Sequence, residues 1–254
     1  MSAVKVLKAF ACAIALTAAR EPILVPDVSQ REIEIAYSFT GAELLLFGAI
    51  LYPDGRLPAK DADIAVVLKG PTQSVTLREK QKLFGLIWAN ADSVKFQSAP
   101  GYYAIATSRP LEKLIDERTS AIYELGLGNI QLSPADGGAS GEQKRFENGL
   151  IALRSKSELF ADRPGSVEIT DGVLYRARLY LPARVPTGRY TAETFLIRDG
   201  RILAAATREV DIRKSGFERF VARAADSAPF TYGLTAILLS LAFGFGASAV
   251  FKRF

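Results

Sequence analysis

The sequence predicts a mainly β protein: an immunoglobulin-like β-sandwich body with a helical connector and one C-terminal transmembrane helix. Three observations carry that reading. Short apolar runs with strand-like alternation recur on both sides of a helical stretch. Residues 230–251 hold no charged side chain. Pro186-Thr187-Gly188-Arg189-Tyr190 matches the turn into a late strand of immunoglobulin-like domains, where a Tyr hydroxyl pins the corner.

Taken from the N-terminus, residues 1–19 read as a signal peptide. Lys5 and Lys8 precede an apolar run from Ala9 to Ala19, which closes on Thr17-Ala18-Ala19 before Arg20-Glu21-Pro22. As a helix this run of about 11 residues spans about 17 Å, against about 30 Å of hydrocarbon. It is too short to cross a bilayer. Cys12 lies inside it, without the preceding Leu that a lipid-modified cysteine requires.

Composition narrows the chemistry. There is no His, and the single Cys falls in the segment expected to be removed. Disulfides, thiol nucleophiles, Cys or His metal ligands and His-dependent catalytic arrangements therefore have no residues to work with. The net charge of +5 is spread among Asp and Glu along the whole body, so no nucleic-acid partner is expected.

Residues 20–110 are expected to form a β-sandwich domain. Ile33, Ile35, Tyr37 and Phe39 share one face of a strand, and Ala42–Leu51 and Ile64–Leu68 carry apolar residues on both faces. Val75–Lys80, Leu83–Ala89, Val94–Gln97 and Tyr102–Ser108 complete about seven strands. After Arg109-Pro110 the pattern turns helical around Leu114-Ile115 and again around Phe146, Leu150 and Leu153. Residues 111–164 thus read as a connector with a Gly-rich loop at 133–141. A second β unit, 165–213, follows, with Asp171-Gly172 and Asp199-Gly200 as hairpin turns. Pro100-Gly101-Tyr102-Tyr103 looks like a looser copy of the Tyr190 corner.

Residues 214–229 read as an amphipathic juxtamembrane segment, with Phe217, Phe220, Val221, Ala224 and Ala225 at helical spacing. Pro229 interrupts it before the transmembrane helix, 230–251, and a cytoplasmic tail, 252–254. Arg213, Lys214, Arg219 and Arg223 on the near flank would favour the reverse orientation by charge alone. An exported domain crosses behind its signal peptide regardless of such charges, so the expected location is the inner membrane, single pass, with a periplasmic body.

Phe39-Thr40-Gly41, Phe47-Gly48-Ala49, Lys69-Gly70-Pro71, Trp88-Ala89-Asn90, Arg109-Pro110 and Pro186 through Tyr190 carry a family resemblance. On these residues the chain resembles the alphaproteobacterial putative transmembrane protein family (Alph_Pro_TM) over most of its length. The resemblance implies the same layout of signal, body and C-terminal helix. It also implies a sulfite-exporter-like permease as neighbour.

Two surfaces stand out as candidate sites. Arg78, Lys80 and Lys82 alternate along one strand and so share a face, which would present positive charge to an anion such as sulfite or to lipid phosphate; a solvated edge strand is the plainer reading. Ala236, Ser240, Gly244 and Ser248 recur every four residues in the membrane helix, where small side chains let a permease helix or a second copy approach. Asp61 and Asp63 match no metal loop, and Trp88, flanked by Leu86, Ile87 and Ala89, is expected in the core. No catalytic residue, metal or cofactor is expected. The resulting expectation is a non-enzymatic, membrane-anchored periplasmic accessory or interaction protein. The alternatives are a tethered small-anion-binding protein and a carboxylate-based enzyme.

Overall fold

The computed structural model describes residues 21–35, 41–53, 55, 62–83, 86–134, 140–214 and 217–251. The expected signal peptide with Cys12, the tail 252–254, Asp61 and residues 135–139 of the Gly-rich loop lie outside them.

Thirteen strands are described. In chain order they begin with β1 (Ile23–Val28), β2 (Glu32–Ile35), β3 (Ala42–Leu51), β4 (Asp63–Lys69), β5 (Thr72–Leu83), β6 (Ile87–Pro100) and β7 (Tyr103–Thr107). After the first helix come β8 (Ser133–Pro134), β9 (Phe160–Pro164), β10 (Val167–Thr170), β11 (Leu174–Leu181), β12 (Gly188–Arg198) and β13 (Arg201–Lys214). The helices are α1 (Glu117–Ile122), α2 (Ser140–Lys156), α3 (Phe217–Ser227) and α4 (Pro229–Phe251).

These strands make three sheets, ordered β1-β3-β11-β10, β2-β13-β12-β4-β7-β9 and β5-β6-β8. β11 shows why its sheet has two unlike faces. Tyr175, Ala177, Leu179 and Leu181 are buried, while the residues between them are exposed. β4 is buried throughout its centre because its sheet is covered on both sides. The four-stranded sheet packs on one side. On the other, the segment carrying α1 is held by Tyr103, whose hydroxyl donates to the Glu124 carbonyl (2.8 Å) and accepts from the Gly126 amide (3.0 Å). Lys69 Nζ lies 3.0 Å from Glu124 and 3.1 Å from Glu193, tying the same segment to β4 and β12.

Several expectations are corrected. β3 pairs with β11 and β4 with β12, so both large sheets draw strands from 20–110 and from 165–213, and the described residues of Thr40–Ile212 belong to one compact unit. The connector is not purely helical: β9 lies within 111–164 and pairs in parallel with β7. The stretches Val75–Lys80, Leu83–Ala89 and Val94–Gln97 are not three strands but the two arms of one long hairpin, β5–β6. Both Asp-Gly turns form, with Asp171 at φ 52° and Asp199 at φ 49°, each followed by a Gly of positive φ.

The Tyr190 corner also forms, its hydroxyl donating to the Pro186 carbonyl at 2.7 Å. Gly188 beside it has φ 140°, a backbone that side-chain-bearing residues rarely adopt. The looser copy behaves differently. The Tyr102 hydroxyl reaches across to the Tyr180 carbonyl (2.7 Å) rather than back to its own turn, and its ring lies 5.8 Å from that of Tyr190.

The C-terminal helices belong to a second compact unit. α3 ends at Ser227 and α4 starts at Pro229, a residue suited to a first helical position because it lacks the amide that would go unpaired there. The Ala228 carbonyl accepts from the Tyr232 amide (3.0 Å). Among the described residues one helix is long and apolar enough to cross a membrane, Pro229–Ser248 within α4.

Candidate functional site: the basic hairpin

The β5–β6 hairpin sorts its side chains by face. On one side Val75, Leu77 and Val94 join Phe96, Ala99, Phe146 and Leu150 in an apolar cluster that fixes the hairpin to α2. Glu79 and Asp92 pair across the strands on this same side, and both meet Arg145 of α2, at 3.0 and 3.5 Å. The hairpin's acidic groups are thereby drawn onto its helix-facing side.

The opposite side is open and basic. Arg78, Lys80 and Lys82 are all exposed there, as the alternation predicts, on a strand at the edge of its sheet. Residues directly opposite in an antiparallel pair point the same way. The register Thr76↔Lys95, Arg78↔Ser93, Lys80↔Asn90 and Lys82↔Trp88 therefore adds Lys95 to the basic set. Ala91 is the extra residue on β6 where the register shifts between Glu79 and Lys80, and it keeps the two sides in phase. Among the described residues this side of the hairpin carries no carboxylate.

Trp88 is corrected from core to surface: it is 62% exposed, with Leu86 at 86% and Ile87 at 68%. The Lys82 ammonium sits 5.2 Å from its ring centroid. Sequence reasoning missed both Lys95 and the exposed tip. Lys95 could have been found only by knowing the register. The run Leu86-Ile87-Trp88 reads the same whether it is buried or displayed.

A second concave region, an open cleft of 1510 Å³, is lined by Asp63, Ser108, Arg109, Glu112, Asp116 and Asp171 among others. Its polar groups largely serve the fold. Asp63 accepts from Ser108 Oγ (2.7 Å) and pairs in two-pronged fashion with Arg109. Burial opposes ionisation of Asp63, yet the Arg109 and Ser108 bonds outweigh it and hold the carboxyl below its ordinary value. Asp116 caps α1 by accepting from the Thr119 amide at 3.0 Å. Likewise burial pulls the Lys69 ammonium down, but Glu124 and Glu193 together raise it above its ordinary value. Among the described residues no three acidic side chains gather as a metal-holding group.

In α4, Ala236, Ser240, Gly244 and Ser248 are all exposed, and Ser240 Oγ donates back to the Ala236 carbonyl at 2.9 Å. That bond satisfies the hydroxyl within the helix. Apart from the backbone of its own helix and its chain neighbours, no described atom lies within 4 Å of a Cβ placed at Gly244.

Comparison with known families gives one match: the model described as "Putative transmembrane protein (Alph_Pro_TM)" covers residues 23–253. No curated protein matches the chain.

Proposed function

The chain belongs to the Alph_Pro_TM family of putative transmembrane proteins, and we infer that it is a non-enzymatic accessory protein tethered by α4 to the inner membrane. Its β-body stands in the periplasm, its C-terminus in the cytoplasm, and its partner is a multi-pass permease of the sulfite-exporter-like kind. The observation that carries the reading is α4. It has no charged side chain, no part of Pro229–Ser248 is buried, and its length of 23 residues gives about 34 Å of helix, enough for a hydrocarbon core of about 30 Å. The absence of His, and of any Cys beyond residue 12, supports a role other than His- or thiol-based catalysis.

Two preparations test this. The full chain should stay with membranes through high-pH carbonate washing, and a chain ending at Ala228 should be soluble and keep its β circular-dichroism signal. Release of the full chain by carbonate would overturn the anchor. Cross-linking in native membranes should then trap a polytopic transporter.

A second reading, capture of a small anion, is favoured by the one-sided placement of Arg78, Lys80, Lys82 and Lys95. Titration with sulfite and with phosphate, repeated on Lys80→Glu, reads it directly.

A further inference from the structure

We infer that the β5–β6 hairpin is a membrane-seating element: Leu86, Ile87 and Trp88 enter the interfacial zone of an anionic lipid leaflet while Lys80 and Lys82 meet its phosphates.

The first ground is reach. Among the described residues, the contacts nearest the tip that fix the hairpin to α2 are those of Glu79 and Asp92 with Arg145. From Glu79 to Leu83 the arm runs on for about 13 Å at strand rise, close to the depth of about 5–10 Å to which amphipathic elements sink at the headgroup boundary. Over this stretch Lys80, Gln81, Lys82, Ile87, Trp88 and Asn90 are all exposed, so both sides of the projecting end are free of the body.

The second ground is the kind of surface displayed. An exposed tip with Leu86 at 86%, Ile87 at 68% and Trp88 at 62% leaves apolar area in water that nothing in the described chain covers. Trp is the residue that prefers the water–hydrocarbon boundary, since its ring is apolar and its N–H remains hydrogen-bonded there. Lys82 sits over the Trp88 ring, which places an ammonium beside the indole at the level where phosphates lie.

Charge selects the occupant. Arg78 and Lys95 extend the positive side back along the hairpin, and the carboxylates Glu79 and Asp92 face α2 instead. Each basic group near an anionic leaflet adds attraction that fades within a Debye length. A free anion would use the lysines but has no need of Leu86, Ile87 and Trp88, whereas a lipid leaflet uses both. A chain already held in a bilayer by α4 also meets lipid at high effective concentration, so a weak second contact suffices.

The sequence supplies its own probe, because Trp88 is the only tryptophan. The full chain is reconstituted into phosphatidylcholine vesicles with and without phosphatidylglycerol, plain or brominated on the acyl chains. The expected result is a Trp88 emission that moves to shorter wavelength with phosphatidylglycerol and falls by about half or more in brominated lipid. Leu86→Ser with Ile87→Ser should restore the water-exposed spectrum, and Lys80→Glu with Lys82→Glu should abolish the phosphatidylglycerol dependence. All four positions are exposed, and unchanged thermal melts of these variants would confirm that the body is intact. Unquenched emission at the wavelength of solvated indole overturns the inference. So does a blue shift without bromolipid quenching, which would mean the tip is covered by protein. In either case α4 still holds the chain on the vesicles, so the anchor reading is decided separately.

Discussion

Tyr190 donates its hydroxyl to the carbonyl oxygen of Pro186, four residues earlier, at 2.7 Å, and does so from a fully buried ring. That bond closes the turn leading into β12, the strand joined to both β4 and β13. Replacing the hydroxyl leaves a carbonyl without its partner next to a sheet that cannot shift to compensate.

Tyr190→Phe should therefore cost about 1–2 kcal/mol, the usual toll of orphaning one such group. Thermal melts of the full chain should show a midpoint lowered by about 2–8 °C, the size expected for a domain of about 200 residues. An unchanged midpoint would mean the corner is held by the Tyr102–Tyr190 ring contact alone.

Gly48 in β3 marks a point where backbone and ring come too close for a side chain. A Cβ there would lie 2.4 Å from the Val25 carbonyl oxygen and 2.6 Å from the Tyr175 hydroxyl. Gly48→Ala should destabilise by about 1–3 kcal/mol, because the carbonyl belongs to the paired strand β1. Gly128→Ala, with nothing within 4 Å, should be close to neutral in the same denaturant titration.

Asp63 predicts an acid dependence with a definite sign. Its folded carboxyl is held below the ordinary 3.8, so it contributes stability above that value and loses it as pH falls through the folded one. Asp63→Asn should lower stability at pH 7 by about 1–2 kcal/mol and flatten the decline below about pH 4. Urea midpoints across that range check both. A variant that keeps the wild-type acid slope would place the titrating group elsewhere.

Some of this was legible in the sequence because period and turn chemistry are local. Alternation marks the buried face of β11, Asp171-Gly172 and Asp199-Gly200 demand positive φ, and the charge-free run sets α4. Partnership is not local. Nothing in Ala42–Leu51 says that it pairs with Leu174–Leu181 rather than with a nearer strand, so the sequence leaves open whether 20–110 and 165–213 form one sandwich or two domains. β9 pairs in parallel with a strand more than fifty residues earlier, which no turn signal announces. The basic site was half legible for the same reason. Arg78, Lys80 and Lys82 share a face by parity along one strand, while Lys95 joins them only through the cross-strand register. Trp88 was misplaced because an apolar run is read as core by default, and only the hairpin's projection beyond α2 shows it in the open.

The central claim is that one helix, α4, holds the chain in the inner membrane with the β-body in the periplasm, and sidedness labelling tests it most directly. Cys12 is the single cysteine of the sequence, so Ser93→Cys, at an exposed position on the hairpin, carries the sole thiol in a Cys12→Ser background. A membrane-impermeant maleimide applied to intact spheroplasts should label this variant fully, and should label Arg253→Cys only after lysis. Labelling of Ser93→Cys only after lysis would put the body in the cytoplasm and contradict the account.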